Sequence, residues 1–196
     1  MDELARRRLL AVQPLADALG SYLRRSSPYY DQVFEQVSER VSATGELGKA
    51  DIGSLVVWKR LNASTTWAAE LMKTDDAQVR TLTRAMIDAT RRSSESPPER
   101  ARGARNALLE LPGCTSGDAL SSALISAADP QDMAVYDRRA HRALTTLGLP
   151  LSNRRGRYGR YIEIVTDLRA AATTQGLAWS ARQVDLALYT LAASPK

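Results

Sequence analysis

The chain predicts an all-α fold, and three observations carry that reading. Apolar residues recur at helical spacing almost everywhere, no convincing strand run interrupts them, and Gly, Pro and Ser breaks cut the pattern into segments of ordinary helix length. With 196 residues there is enough chain to bury a core as one domain, or as two small lobes sharing one.

The elements follow in order. Residues 1–23 open with an acidic pair and Arg6-Arg7-Arg8, and the apolar run after them is cut at Gln13-Pro14. That run is too short for a signal-peptide core or a membrane span, so a cytoplasmic location and no membrane partner are expected. After a break at Ser26-Ser27-Pro28, Tyr30, Val33, Phe34, Val37 and Val41 mark the buried face of a helix that ends around Gly45 to Gly48. The next, "DIGSLVVWKRL", is apolar nearly all round, with Ile52, Leu55, Val56 and Lys59 on one stripe and Val57, Trp58 and Leu61 on the other. Helices over 75–92 and about 98–110 flank the loop Ser93–Pro98. A turn at Leu111-Pro112-Gly113 leads into "DALSSALISAA", which stops at Asp129-Pro130. A helix over 138–147 precedes the loop Gly148–Gly156. Tyr158, Tyr161, Ile162, Val165 and Leu168, then Val184, Leu188 and Leu191 beyond Gly176, close the series at about nine or ten helices with no internal repeat.

The net charge is +5, and its placement says more than its size. From Asp137 to Arg160 there are seven arginines and one acid, a local balance of +6 that leaves −1 for the rest of the chain. Charge concentrated in one stretch fits a phosphate-backbone footprint better than a generally basic surface does, the plainer reading being a solvated arginine-rich face. One cysteine, Cys114, and one histidine, His141, make no disulfide framework and no Cys/His set for zinc or an iron–sulfur cluster, so cofactor-free and metal-free chemistry is expected. No histidine stands ready to activate Ser121 or Ser122, which argues against a hydrolase triad.

Between "RARGARNALLE" and "DALSSALISAA" lies Leu-Pro-Gly-Cys-Thr-Ser-Gly, long enough only for a sharp reversal. Such a turn exposes backbone N–H groups where the second helix begins, and the helix dipole adds partial positive charge there. Gly113, Thr115 and Gly117 are accordingly candidate phosphate contacts. Arg138, Arg139, Arg142, Arg154, Arg155 and Arg157 join them as candidate DNA-binding residues.

This segment resembles the helix-hairpin-helix (HhH-GPD) DNA glycosylases, the superfamily of endonuclease III, the adenine glycosylase that acts opposite oxidised guanine, and the 8-oxoguanine glycosylases. Leu111-Pro112-Gly113 matches the start of the family's Leu-Pro-Gly-x-Gly turn. Ala134-Val135-Tyr136-Asp137 matches the approach to its aspartate, and Arg142 falls five residues later. The likeness is strongest over about 103–144 and extends more weakly to "YGRYIEIVTDLRAAA" and "SARQVDLALYTLA". Thr115 replaces the second turn glycine, Gly117 stands where bifunctional members carry a lysine nucleophile, and the cysteines of the cluster-bearing members are absent. The resemblance implies a two-lobed fold, with 1–47 plus 131–196 as one lobe and 48–130, carrying the hairpin at 111–117, as the other. It implies double-stranded DNA as partner, and a cluster-free, monofunctional glycosylase that flips a base and uses Asp137.

The chemistry suits that residue. Breaking a base–sugar bond develops oxocarbenium character, which a nearby carboxylate stabilises while orienting or deprotonating a water. Asp137 also suits the N-cap of helix 138–147, and the two roles coexist. Lys59 needs no family to stand out: a desolvated lysine is a base contact, a partner for Asp137 or a Schiff-base amine, unless its stem simply carries it out to solvent at a helix end. Trp58, Tyr136 and Tyr158 are candidates for the base pocket, Tyr158 because it alternates with arginines in the manner of a stacking platform. Two other readings stay open: a catalytically silent DNA-binding module of the same fold, and a helical interaction protein with no nucleic-acid role.

Overall fold

A computed structural model describes residues 2–193, and among them it contains ten α-helices and no strand. These are α1 (Glu3–Arg25), α2 (Gln32–Thr44), α3 (Lys49–Trp58), α4 (Thr66–Lys73), α5 (Asp76–Thr90), α6 (Pro97–Ala107), α7 (Ala119–Ala128), α8 (Arg138–Thr146), α9 (Arg157–Thr174) and α10 (Ala181–Leu191). The all-α expectation holds.

Pro14 does not end the first helix. It lies inside α1 on the exposed side, while Ala11, Val12, Leu15, Ala18 and Leu19 continue one buried stripe past it. An interior proline costs about 3 kcal/mol; here the stripe packed on α9 and α10 outweighs it.

α7 is the central helix. Every residue from Leu120 to Ala127 is buried, and α2, α3, α5 and α6 all pack against it. α1, α8, α9 and α10 form the other side: α10 contacts α1, α8 and α9, and α9 also packs on α6. α2 packs on α3 and α7, where Ser38 Oγ donates to Ala127 O at 2.7 Å, while Phe34 lies against both Trp58 of α3 and Arg182 of α10. The buried apolar residues nevertheless form one contiguous cluster.

A short irregular segment, residues 133–136, runs buried beside α7 and delivers Asp137. Buried backbone without a helix must find side-chain partners. Ser126 Oγ donates to Met133 O at 3.0 Å, Tyr158 Oη to Ala134 O at 3.1 Å and Tyr161 Oη to Val135 O at 3.2 Å. Ser122 Oγ accepts from Tyr136 N at 3.0 Å.

The hairpin turn rests on Gly113, whose φ is +87°. A Cβ there would lie 2.7 Å from Trp67 Cε3 and 2.9 Å from Leu120 Cδ2, both packed in the core. Gly113→Ala is therefore expected to cost about 2–4 kcal/mol, combining left-handed backbone strain with overpacking. A urea midpoint unchanged from the parent would refute this packing role.

Candidate active site

Asp137 is the N-cap of α8: its backbone is extended and its Oδ1 accepts from Ala140 N at 2.8 Å. The carboxylate thus sits at the positive end of a helix, held from behind by the pinned 133–136 segment. Among the described residues it belongs to no ion pair, so Arg142 does not neutralise it; that arginine is exposed on α8.

Lys59 faces the same space. α3 ends three residues earlier than its pattern suggests because Leu61 N bonds to Val56 O at 2.9 Å and Arg60 N to Val57 O at 3.0 Å, with Arg60 in the left-handed region at φ +54°. This closing turn leaves Lys59 at the C-cap, lining the pocket with Asp137. Its ammonium makes no hydrogen bond among the described residues. Burial pushes its pKa below the usual lysine value, against the opposing pull of Asp137 and Asp185. The side chain is not carried clear to solvent.

Asp185 completes the charged floor, and the sequence reading missed it. It lies in the buried stripe of α10 beside Ala181, Val184 and Leu188, so the test that singled out Lys59, a charged residue on an apolar face, would have found it. Arg182 Nη1 donates to Asp185 Oδ2 in a short bond, while Arg182 Nη2 reaches Asp31 Oδ1 at 3.0 Å. Asp31 in turn accepts from Tyr22 Oη at 2.7 Å and from Trp58 Nε1 at 3.0 Å. The Arg182 guanidinium lies 4.9 Å from the Phe34 ring centre and 5.0 Å from that of Trp58. Burial raises the Asp185 carboxyl to about 6, although Arg182 and Lys59 pull it down.

The pocket, open on one side, has a volume of about 590 Å³ and is walled by Trp58, Tyr136 and Tyr189 around Lys59, Asp137 and Asp185. Trp58 and Tyr136 both line this pocket. Tyr136 is held by its hydroxyl, 3.1 Å from His141 Nδ1, and by Arg157 stacked 4.5 Å over its ring. Tyr158 is not part of this wall. It is buried beneath the adjoining depression, where its hydroxyl holds the backbone of Ala134, so its alternation with arginines does not put its ring on a free surface.

A second depression of about 680 Å³ adjoins the first, and Gly117, Asp118 and Arg157 line both. It carries Thr115, Arg154 and Arg155 from the sequence reading, and adds Arg102 and Arg105 of α6. Arg160 serves the backbone instead, donating to the carbonyls of Arg155 at 2.9 Å and Ser152 at 3.2 Å, which holds the loop bearing Arg154 and Arg155. Arg138 and Arg139 stand at the pocket rim, Arg139 4.6 Å over the Tyr189 ring, whereas Arg142 lines neither space.

The hairpin departs from an open anion site. At the start of α7, Asp118 does not cap the helix but accepts from Arg105 Nε at 3.0 Å and Arg157 Nε at 2.8 Å, and Arg105 Nη2 donates to Gly117 O at 2.9 Å. Negative charge already occupies the place where the turn would hold a phosphate. Thr115 and Gly117 are exposed beside it, and Gly113 serves packing.

No family model, curated protein or solved structure matches the chain. The residues alone must carry the functional argument. Among the described residues no group of three His, Cys, Asp or Glu side chains is placed to hold a metal ion, and no helix is long and apolar enough to cross a membrane. What the pocket offers is a helix-capping carboxylate, a desolvated amine, a second buried carboxyl and flat aromatic walls, opening onto an arginine-lined groove.

Proposed function

We propose that the protein is a monofunctional DNA N-glycosylase of the two-lobed helix-hairpin-helix kind, which turns a damaged, mispaired or modified base out of the duplex and hydrolyses its glycosidic bond. The observation that supports this reading is the continuity of the two spaces: a groove bearing Arg102, Arg154 and Arg155 runs past Arg157 into an aromatic-walled pocket that contains Asp137. Guanidinium groups offset the cost of distorting the duplex by holding its phosphates, and the pocket receives a flat ring. Asp137 then stabilises the developing positive charge on the sugar and takes a proton from the attacking water. Lys59, which lines the same pocket, is placed to contact the base, while the Ala140 N–H orients the carboxylate.

The test is base release from duplexes carrying 8-oxoguanine, uracil, thymine–guanine mismatches, alkylated purines and modified cytosines, with strand cleavage scored before and after alkali. Release of one base with alkali-dependent cleavage is the expected result. Cleavage without alkali that disappears in Lys59→Ala would replace the monofunctional reading with Lys59 as nucleophile; no release from any duplex would remove the reading.

The groove makes a separate prediction. Replacing Arg154 and Arg155 together by alanine is expected to flatten the dependence of log binding constant on log salt by about 1.8, two phosphate contacts at about 0.9 each. Titrations of duplex between low and moderate salt check this, and an unchanged slope would place the DNA elsewhere.

One observation favours a second reading, a silent DNA-binding module. Asp118 holds Arg105 and Arg157 away from an incoming strand at the hairpin. Tight, salt-sensitive binding without base release is its signature.

A further inference from the structure

Asp185 is a carboxyl with one oxygen committed and one open. Oδ2 accepts from Arg182, while Oδ1 has no hydrogen-bond partner among the described residues, although the side chain is almost wholly buried and lines the pocket. Arg182 is itself fixed at its other end by Asp31, so Asp185 cannot swing away without breaking a chain that reaches through Asp31 to Tyr22 and Trp58.

We propose, building on the glycosylase reading, that Asp185 is the proton donor to the departing base, working opposite Asp137. The two carboxyls stand in contrasting settings. Asp137 caps a helix N-terminus, where negative charge is favoured; Asp185 is enclosed, where the neutral form is favoured. Pairs of carboxyls in environments that differ in this sense divide acid and base roles between them. The groups facing Asp185 are Arg182 and Tyr189 on α10, Lys59 at the end of α3, Asp137 at the start of α8, Tyr158 and Tyr161 on α9, and Asp31 and Tyr22 through Arg182. Burial and Asp137 hold its carboxyl up at about 6, outweighing Arg182 and Lys59. The step balances without a further reagent. The bond from C1′ to the base nitrogen breaks with its electron pair going to the base, which takes the Asp185 proton. Water adds to C1′ and yields a proton to Asp137, and solvent returns that proton to Asp185 before the next turnover. A base leaving as a neutral molecule is the class this serves; its anion departs poorly.

The experiment has two parts, both on the full chain. Carbon-13 titration of the aspartate carboxyls, with the Asp185 signal assigned by its absence in Asp185→Asn, is expected to show that group titrating between about pH 5 and 7; a signal already ionised below pH 4 overturns the proposal and leaves the glycosylase reading intact. On the duplex that wild type cleaves, base release is expected to fall as pH rises through about 6, because the donor is then lost. Asp185→Asn keeps an acceptor for Arg182 and should retain the wild-type fold by circular dichroism and the wild-type duplex affinity, yet release base about 100- to 10,000-fold more slowly and without that pH limb. Unchanged rate and pH profile in a folded Asp185→Asn, with Asp137→Asn inactive, overturns the proposal alone. Absence of base release by wild type overturns it together with the reading it rests on.

Discussion

Asp137→Asn is expected to slow base release about 100- to 10,000-fold while leaving the fold and duplex binding in place. The substitution is informative because the two roles of Asp137 separate under it. As an N-cap, asparagine is about as good as aspartate, so Ala140 N keeps its acceptor and stability should change by only a few tenths of a kcal/mol. As a charge beside a developing oxocarbenium ion, the amide is worthless. Asp137→Ala makes the contrast complete: it should lose the activity and about 1 kcal/mol of stability as well. Activity retained in the asparagine variant, measured by alkali-revealed strand cleavage, would reduce Asp137 to a cap.

Arg182→Leu is the substitution with the largest expected effect on stability, about 3–5 kcal/mol by denaturant unfolding. Its guanidinium is the shared cation of Asp31 and Asp185 and lies against Phe34 and Trp58. Removing it leaves the buried Asp185 and the half-buried Asp31 without the cation that bridges them, which costs more than the pairs themselves contribute. Replacing Asp31 by Asn and Asp185 by Leu in the same chain should recover most of the loss, since no uncompensated charge then remains. A triple variant as unstable as the single one would mean that Arg182 acts through its ring contacts and not as a cation.

Helical periodicity was enough to locate the buried faces of α2, α9 and α10, because Phe34, Val37 and Val41, or Val184 and Leu188, repeat at spacings only a helix aligns. It failed at Pro14, where tertiary burial on either side overrode a local breaker, and at the end of α3, where a left-handed Arg60 performs a turn usually assigned to glycine. Asp137 and Lys59 were legible as charged residues with unusual neighbours, and they do line one pocket. Asp185 was not read, although the test that found Lys59, a charged residue on an apolar face, applies equally to it among Ala181, Val184 and Leu188. Tyr158 misled for the converse reason. An aromatic among arginines looks like a stacking platform, and nothing local reveals that its hydroxyl is needed by a stretch of bare backbone twenty-four residues earlier.

The packing of α1 against α9 and α10 has a consequence for how the protein is made. Among the described helices, the earliest in the chain is covered by the two latest. Until α10 has been synthesised, the stripe of Val12, Leu15 and Leu19 has only α9 to bury against, and nascent α1 waits with part of that stripe uncovered. The helix that releases α1 from this wait also brings Arg182 and Asp185 to the pocket, so the chain becomes stable and acquires its charged floor in one event.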